Sequence, residues 1–407
     1  MKGKTKTTSF FQAKIILLWA AILLSIFFLY RLISSHESPT GSENIRKTPF
    51  AASNQPVIDS ILKPNQAIEQ KSLTSSQFPD WGLVPKNKYA YVTLLHGIDE
   101  SLSYRGFLFN CILMKTSLER LGSSADFLAL VGFTFGSQPS HPTIMADLAL
   151  LRSHGIQIVF LPRLFPEQYI TQMKKDKVQF HEMALLKVLP WSFTQYEKVQ
   201  YMDGDVLPHT NMDCLFHLPS NTFNTGSASP LNSGWYLAIP NEVDYRILRA
   251  KAEWRLMLNR WDDSRGWGTP IPADHKLKYR GLSRPVKKWE FNGASLDQGL
   301  LTHYFVLNQG RAVLLDEESA LAFAANFTFT TSRVSQVLQC CKGKGPMEMF
   351  FHYTGQNKPW LKDLKQPKDM PLKYWVKVLD EAKLDLNSSN IDPKKFRPAL
   401  GFFYPNK

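Results

Sequence analysis

Two carboxylates one residue apart, Asp203 and Asp205, flank Gly204 within residues 196–207, YEKVQYMDGDVL. Two anions side by side repel each other unless a cation lies between them. The pair therefore suits a divalent ion with hard oxygen ligands, of the kind shared with substrate phosphates. Gly204 lets the backbone bend with no Cβ in the way. Residues 198–202 read as a short buried strand, with Val199, Tyr201 and Met202 apolar or aromatic and no turn residue between them. Val206, Leu207 and Pro208 return the chain to the core. A solvated acidic turn is the competing reading of such an isolated motif.

The elements that would position this turn are legible upstream. Residues 89–95 read as a strand. Over 104–121 a helical stripe of Phe107, Leu108, Cys111, Ile112, Met114, Leu118 and Leu121 runs to Gly122. A strand over 126–131 follows, then a helix over 142–154 with Pro142 at its start and Gly155 after its end. Next come a strand over 156–161 and a helix over 178–189 stopped by Pro190. This alternation implies a parallel sheet with right-handed crossovers. In open α/β sheets ligands gather at the carboxyl ends of strands. Asp203 and Asp205 lie at such an end, which favours the cation-binding reading over the acidic turn.

Residues 186–208, LKVLPWSFTQYEKVQYMDGDVLP, resemble the core of the glycogenin-like glycosyltransferases, family 8. Three further motifs occur in that family's order: Asn232-Ser233-Gly234, Asp297-Gln298-Gly299, and His352-Tyr353-Thr354-Gly355-Gln356-Asn357-Lys358-Pro359-Trp360. Val92-Thr93-Leu94 and Tyr104-Arg105-Gly106 resemble its nucleotide-binding opening. The resemblance implies an α/β fold of GT-A type, a central mostly parallel sheet flanked by helices. It also implies a nucleotide-sugar donor and retention of anomeric configuration.

The roles that follow are those the resemblance implies. Asp203, Asp205 and His352 would hold Mn²⁺, or Mg²⁺, on the donor diphosphate. Lys358 lies six residues after His352 with Gly355 between them, so one loop could bring an imidazole to the metal and an ammonium to the same diphosphate. A surface lysine is the alternative. Gly355 would let backbone approach the diphosphate. Lys187 would orient Asp203 or the sugar, unless it is a solvated helix lysine. Thr93 belongs to the nucleotide-binding opening, and Tyr104 would stack on uracil or sit in the core. Asn232 can offer donor and acceptor to sugar hydroxyls, although Asn-Ser-Gly is also an ordinary turn. Gln298 would lie beside the anomeric carbon, with Asp297 the candidate nucleophile if a double displacement operates. The family's Asp-Gly-Gly-Asp-Gln-Gly is here stretched by two residues over 292–299, and Asn292 replaces its first Asp as a candidate sugar contact. Residues 245–291 carry Trp254, Trp261, Trp267 and Trp289 and read as an acceptor-side lid.

Five segments are expected: a cytosolic tail (1–14), a transmembrane signal anchor (15–33), a stem (34–85), the catalytic domain (86–365) and a C-terminal extension (366–407). Lys2, Lys4, Lys6 and Lys14 precede the apolar span and only Arg31 follows closely, which leaves the N-terminus in the cytosol. A cleaved signal peptide competes with this reading. The stem is rich in Ser, Thr, Asn, Gln and Pro. Sequons at Asn326 and Asn387 fall on the expected lumenal side. Cys111, Cys214, Cys340 and Cys341 could form disulfides there, and the absence of a C-x-x-C pair disfavours zinc. The net charge of +13 comes with no aromatic RNA-binding signature and no dense basic run in the body of the chain, so a basic surface facing anionic substrates or phospholipid heads fits at least as well as nucleic acid. The expectation is a metal-dependent retaining transferase of the Golgi membrane, with the ER as alternative. It would be single-pass with a lumenal domain, and would move a hexose from a UDP-sugar to a glycan, glycoprotein or glycolipid acceptor. The alternative is a catalytically inactive sugar- or nucleotide-sugar-binding protein of the same fold.

Overall fold

Strand β1 (Tyr89–Ile98) lies inside the sheet, where apolar residues on both faces find cover. Tyr91 and Leu95 point into one core, and Ala90, Val92 and Leu94 into the other. This computed structural model describes residues 79–384, leaving out 135, 162–182, 259–260, 269, 273–285, 316–321 and 325–330. The anchor, residues 34–78 of the stem and both sequons lie outside the described residues; the end of the expected stem is instead part of the folded domain, where Trp81 Nε1 donates to Ser192 Oγ at 2.9 Å. Among those that are described, no helix is long and apolar enough to cross a membrane.

Helix α1 (Arg105–Arg120) buries its predicted stripe, with Leu108, Cys111, Ile112 and Leu118 inside. It ends before Gly122, whose φ of +82° gives the chain a left-handed exit. Strand β2 (Asp126–Phe133) is buried at every residue. Helix α2 (Pro142–Ser153) leads to β3 (Gln157–Phe160). The helix expected over 178–189 differs in its described part. A helical turn at 183–185 tightens into a 3₁₀ helix, Leu186–Ser192, with Pro190 inside it rather than beyond its end. Proline's fixed φ fits the tighter turn, so it does not stop the chain there.

Strand β4 (Lys198–Met202) then enters the sheet, followed by β5 (Val206–Pro208), β6 (Asn221–Asn224) and β7 (Asn232–Ala238). Helix α3 (Glu242–Leu258), helix α4 (Asp297–Leu301) and a π-helical stretch, Thr302–Asn308, cover one face. Strands β8 (Ala312–Leu315) and β9 (Ala322–Ala324) complete a sheet of order β3-β2-β1-β4-β7-β6-β8-β9. β3, β2, β1 and β4 run parallel, as do β6 and β8; β7 and β9 are antiparallel to their neighbours. The sheet is therefore mixed rather than wholly parallel. It reverses its winding at β1 and β4, the place where α/β sheets bind ligands.

Helix α5 (Thr331–Cys340), strand β10 (Phe350–His352) and helix α6 (Met370–Glu381) follow. β10 pairs antiparallel with β5 in a separate two-stranded ribbon. Asp369 caps α6 by accepting from the Leu372 N–H at 2.9 Å. Trp375 is fully buried and donates to Asn110 Oδ1 of α1 at 2.9 Å, so residues expected in an extension contribute to the core. A disulfide joins Cys214 to Cys341, leaving Cys111 buried and Cys340 exposed as thiols.

Two segments far apart in the chain meet at Gly106. A Cβ there would lie 2.3 Å from Trp360 Cδ1, and the Trp360 ring meets Phe107 edge-on at 5.0 Å. Gly106→Ala should therefore force the indole aside and destabilise the fold by about 1–3 kcal/mol. The substitution Gly345→Ala, where nothing lies within 4 Å, should stay within about 0.5 kcal/mol. Thermal melts of the two variants check this; equal melting points would contradict the packing.

Candidate active site

The turn after β4 is held from three sides. Asp203 N–H donates to Gly234 O at 2.8 Å, and Val206 N–H to Asp203 O at 3.0 Å. Asn110, fully buried on α1, donates its Nδ2 to Gly204 O at 2.9 Å and to Val206 O at 2.8 Å. Gly204 is not among the positive-φ glycines. Its need is space: a Cβ would meet Phe107 Cδ1 at 3.1 Å and Leu94 O at 3.3 Å. Sequence reasoning missed Asn110, although an amide inside an apolar helical stripe is a signal, because a buried amide must find partners.

The β5–β10 ribbon brings His352 opposite Val206 and its Nε2 within 3.2 Å of Asp205 Oδ1. Gly234 makes room for the ring, since a Cβ there would lie 2.4 Å from His352 Cε1. Asp203, Asp205 and His352 each offer a ligand atom, all within 4.8 Å of one another. Two carboxylates and an imidazole form a donor set that suits Mn²⁺ or Mg²⁺. Asn232 accepts the Gly234 N–H at 2.7 Å, so its amide closes the local turn.

Lys358 is buried rather than a surface lysine. Its ammonium pairs with Asp205 Oδ2 and donates to Tyr353 O at 2.6 Å, while Tyr353 N–H donates back to Asp205 O at 2.9 Å. Gly355 takes φ +59° with open space beside it, a conformation that favours glycine.

Lys187 is likewise no solvated helix lysine. It lies on the 3₁₀ helix, with its Nζ 2.8 Å from Asp203 Oδ1, 3.1 Å from Oδ2 and 3.3 Å from Asp297 Oδ2. Asp297, buried at the start of α4, also accepts from Ser233 Oγ. Gln298 is held by Ser229 Oγ, which donates to its Oε1 at 2.7 Å. A Cβ on Gly293 would lie 2.3 Å from Gln298 Nε2. The stretched loop is pinned by Trp267 Nε1, which donates to Ala294 O at 2.9 Å.

Three sequence candidates are not drawn into this cluster. Tyr104 is a core residue; its ring is buried and its hydroxyl donates to Asp147 Oδ2 at 2.6 Å, which leaves no face for a base. Thr93 is buried in β1, its Oγ1 without a hydrogen-bond partner among the described residues. The Asn292 side chain is exposed, with only its backbone engaged, to Ala228 and Gln298. Of the four tryptophans in the expected lid, Trp267 and Trp289 are buried and Trp254 is exposed.

Charge is tightly matched here. Burial opposes ionisation of Asp205, but His352 and Lys358 outweigh it and hold the carboxyl well below its usual range. Burial also opposes the His352 cation, yet Asp205 and then Asp203 raise its pKa, with Lys358 partly countering them. For Lys187, too, burial opposes charge, and Asp203 and Asp297 keep it above the ordinary lysine range.

A mixed, mostly parallel sheet flanked by helices, with an acidic turn at its carboxyl edge, fits a GT-A glycosyltransferase fold. No family model matches the chain. It is 26% identical over 164 residues, 40% of this chain and 22% of the relative, to UDP-glucuronate:xylan alpha-glucuronosyltransferase 1 of Arabidopsis thaliana. It is 28% identical over 186 residues, 45% of this chain and 20% of the relative, to glycogenin of Neurospora crassa. The matches thus span about a fifth of those relatives' length. A solved structure of the galactosyltransferase LgtC, with donor and acceptor sugar analogues, aligns over 74% of this chain and 98% of its own at 13% identity, with a TM-score of 0.39. Over these segments the chain is similar in sequence to glycosyltransferases of the glycogenin-like family 8.

The ion pairs fix a pH dependence. His352, raised when folded, adds stability that is complete below its unfolded pKa of about 6.5 and fades as pH rises through the folded value. Asp205, depressed when folded, adds stability that is present above about pH 4 and lost as pH falls. In chelator, the melting temperature should therefore fall as pH rises above about 6.5, and His352→Gln should flatten that slope. Because a cation needs the neutral imidazole, saturating Mn²⁺ should flatten or reverse it in the wild type. A rising profile in chelator would contradict the His352–Asp205 pair.

Proposed function

We propose that this chain is a metal-dependent retaining glycosyltransferase that moves a hexose from a UDP-sugar to the hydroxyl of a glycan, glycoprotein or glycolipid. The observation that carries the reading is the convergence of Asp203, Asp205 and His352 within 4.8 Å, with the partly buried Lys187 and the buried Lys358 on the two carboxylates. The UDP-glucuronate donor in one relative's name agrees with it. The apolar span at 15–33 and its flanking lysines support a Golgi or ER membrane enzyme with a lumenal domain.

Asp203, Asp205 and His352 would hold Mn²⁺ or Mg²⁺, which when bound supplies neutralisation of the charge growing on the leaving diphosphate. Lys358 exchanges Asp205 for a phosphate oxygen on the loop turned by Gly355. Lys187 fixes Asp203 against Asp297. Asp297 already serves Lys187 and Ser233, which favours front-face attack over Asp297 as nucleophile. The acceptor proton passes to the departing phosphate oxygen, with Gln298 beside the anomeric carbon.

Purified lumenal protein should release UDP when offered UDP-glucose, UDP-galactose, UDP-N-acetylglucosamine or UDP-glucuronate with a sugar acceptor, and chelator should stop it. UDP-sugar binding with no turnover in any pairing would favour the inactive binding protein instead.

Lys358→Ala tests the phosphate contact and leaves Asp205 its His352 partner. One charge-assisted hydrogen bond is worth about 1.5–3 kcal/mol, roughly tenfold or more in kcat/KM for the donor. Part of the loss should appear in kcat, because the diphosphate charge grows as the sugar leaves. Steady-state kinetics with varied donor measures it; an unchanged kcat/KM would remove Lys358 from the site.

A further inference from the structure

Tyr201 and Tyr236 face each other across the β4–β7 pair in direct register. Their rings stack at 4.8 Å and 14°, and both are buried. Tyr236 stacks in turn on Trp191 at 5.1 Å and 10°. The two hydroxyls leave this stack toward the two members of one ion pair. Tyr201 Oη donates to Asp203 Oδ1 at 3.0 Å, and Tyr236 Oη donates to Lys187 O. The Lys187 ammonium lies 5.8 Å from the Tyr201 ring centroid, within cation–π reach.

From this geometry we propose that Tyr201 and Tyr236 are positioning residues that set the Lys187–Asp203 pair, and through it how the carboxylate is turned toward a cation. The inference rests on the proposed cation-dependent reading of the site. A carboxylate oxygen accepts about two hydrogen bonds. Asp203 Oδ1 accepts the Tyr201 hydroxyl and lies 2.8 Å from Lys187 Nζ, whose hydrogen bond goes to Oδ2 at 3.1 Å. Each oxygen thus has one hydrogen-bond donor and keeps one acceptor position, and the tyrosine, with Lys187, sets how the carboxylate is turned toward a cation. Without the hydroxyl, only Lys187 restrains the carboxylate, and it contacts both oxygens at nearly equal distance. Rotation about the Cβ–Cγ bond would then cost little. Tyr236 acts on the other partner: by holding the Lys187 carbonyl it fixes the 3₁₀ backbone from which the ammonium reaches Asp203 and Asp297.

Tyr201→Phe keeps the stack and removes only the hydroxyl. Mn²⁺ affinity in the presence of UDP, read by electron paramagnetic resonance of the free ion, should fall about tenfold for the loss of a hydrogen bond to a charged group. Tyr236→Phe should shift it in the same direction by a smaller factor. Tyr91→Phe is the control: its buried hydroxyl donates to Asp213 Oδ1 at 2.7 Å, outside the site. It should lower the melting temperature comparably and leave Mn²⁺ affinity unchanged. If Tyr201→Phe behaves like Tyr91→Phe, the positioning role is overturned while the cation site stands. If the wild type binds no Mn²⁺ with UDP, both the site reading and this inference fall.

Discussion

Two carboxylates that share a half-buried corner set the terms for this structure. At an effective dielectric near 20 and under 5 Å of separation, their mutual repulsion is on the order of 3–4 kcal/mol. That is a large share of a typical domain's net stability. Asp203 and Asp205 tolerate it because each has its own cation: Lys187 binds the first, Lys358 and His352 the second. The cations come from two stretches of chain, around Lys187 and over 352–358, so the corner forms only when distant segments have met. Asn110 and the β5–β10 ribbon serve this closure by fixing the turn and delivering His352.

The two lysines are not equivalent. Lys187 is enclosed by Asp203, Asp297 and Ser233, with its backbone tied to Tyr236. It is a fixed strut that couples the cation corner to the Asp297–Gln298 loop. Lys358 has one carboxylate and one carbonyl, on a loop that needs a left-handed glycine. A diphosphate could take over the contact that Asp205 now makes. On the proposed reading, one ammonium serves the geometry of the site and the second is exchangeable for its anionic ligand.

Close packing, more than backbone freedom, explains the glycines of the motifs. Gly106 admits the Trp360 indole and Gly234 admits the His352 ring. Gly204 has ordinary φ and is constrained by Phe107 and a carbonyl. Gly355 is the exception, with open space and positive φ. Motifs far apart in the chain therefore depend on one another sterically, the aromatic of one needing the missing side chain of another.

The acidic turn, the alternating strands and helices before it and the stripe of α1 were readable in the sequence, because periodicity and capping are local properties. So was the grouping of Asp203, Asp205 and His352, through the resemblance carried by their motifs. Local information could not decide what a side chain faces once distant segments meet. Tyr104 turned inward to Asp147, Lys358 and Lys187 left the solvent for carboxylates, and Pro190 was absorbed into a 3₁₀ turn. The antiparallel insertion of β7 between β4 and β6 also escaped the sequence, since a strand's partners are set by long-range pairing. That insertion places Tyr236 against Tyr201, and Ser233 beside Asp297 and Lys187. The sequence alone determined which chemical groups are available; only the tertiary structure decided which charges must neutralise each other.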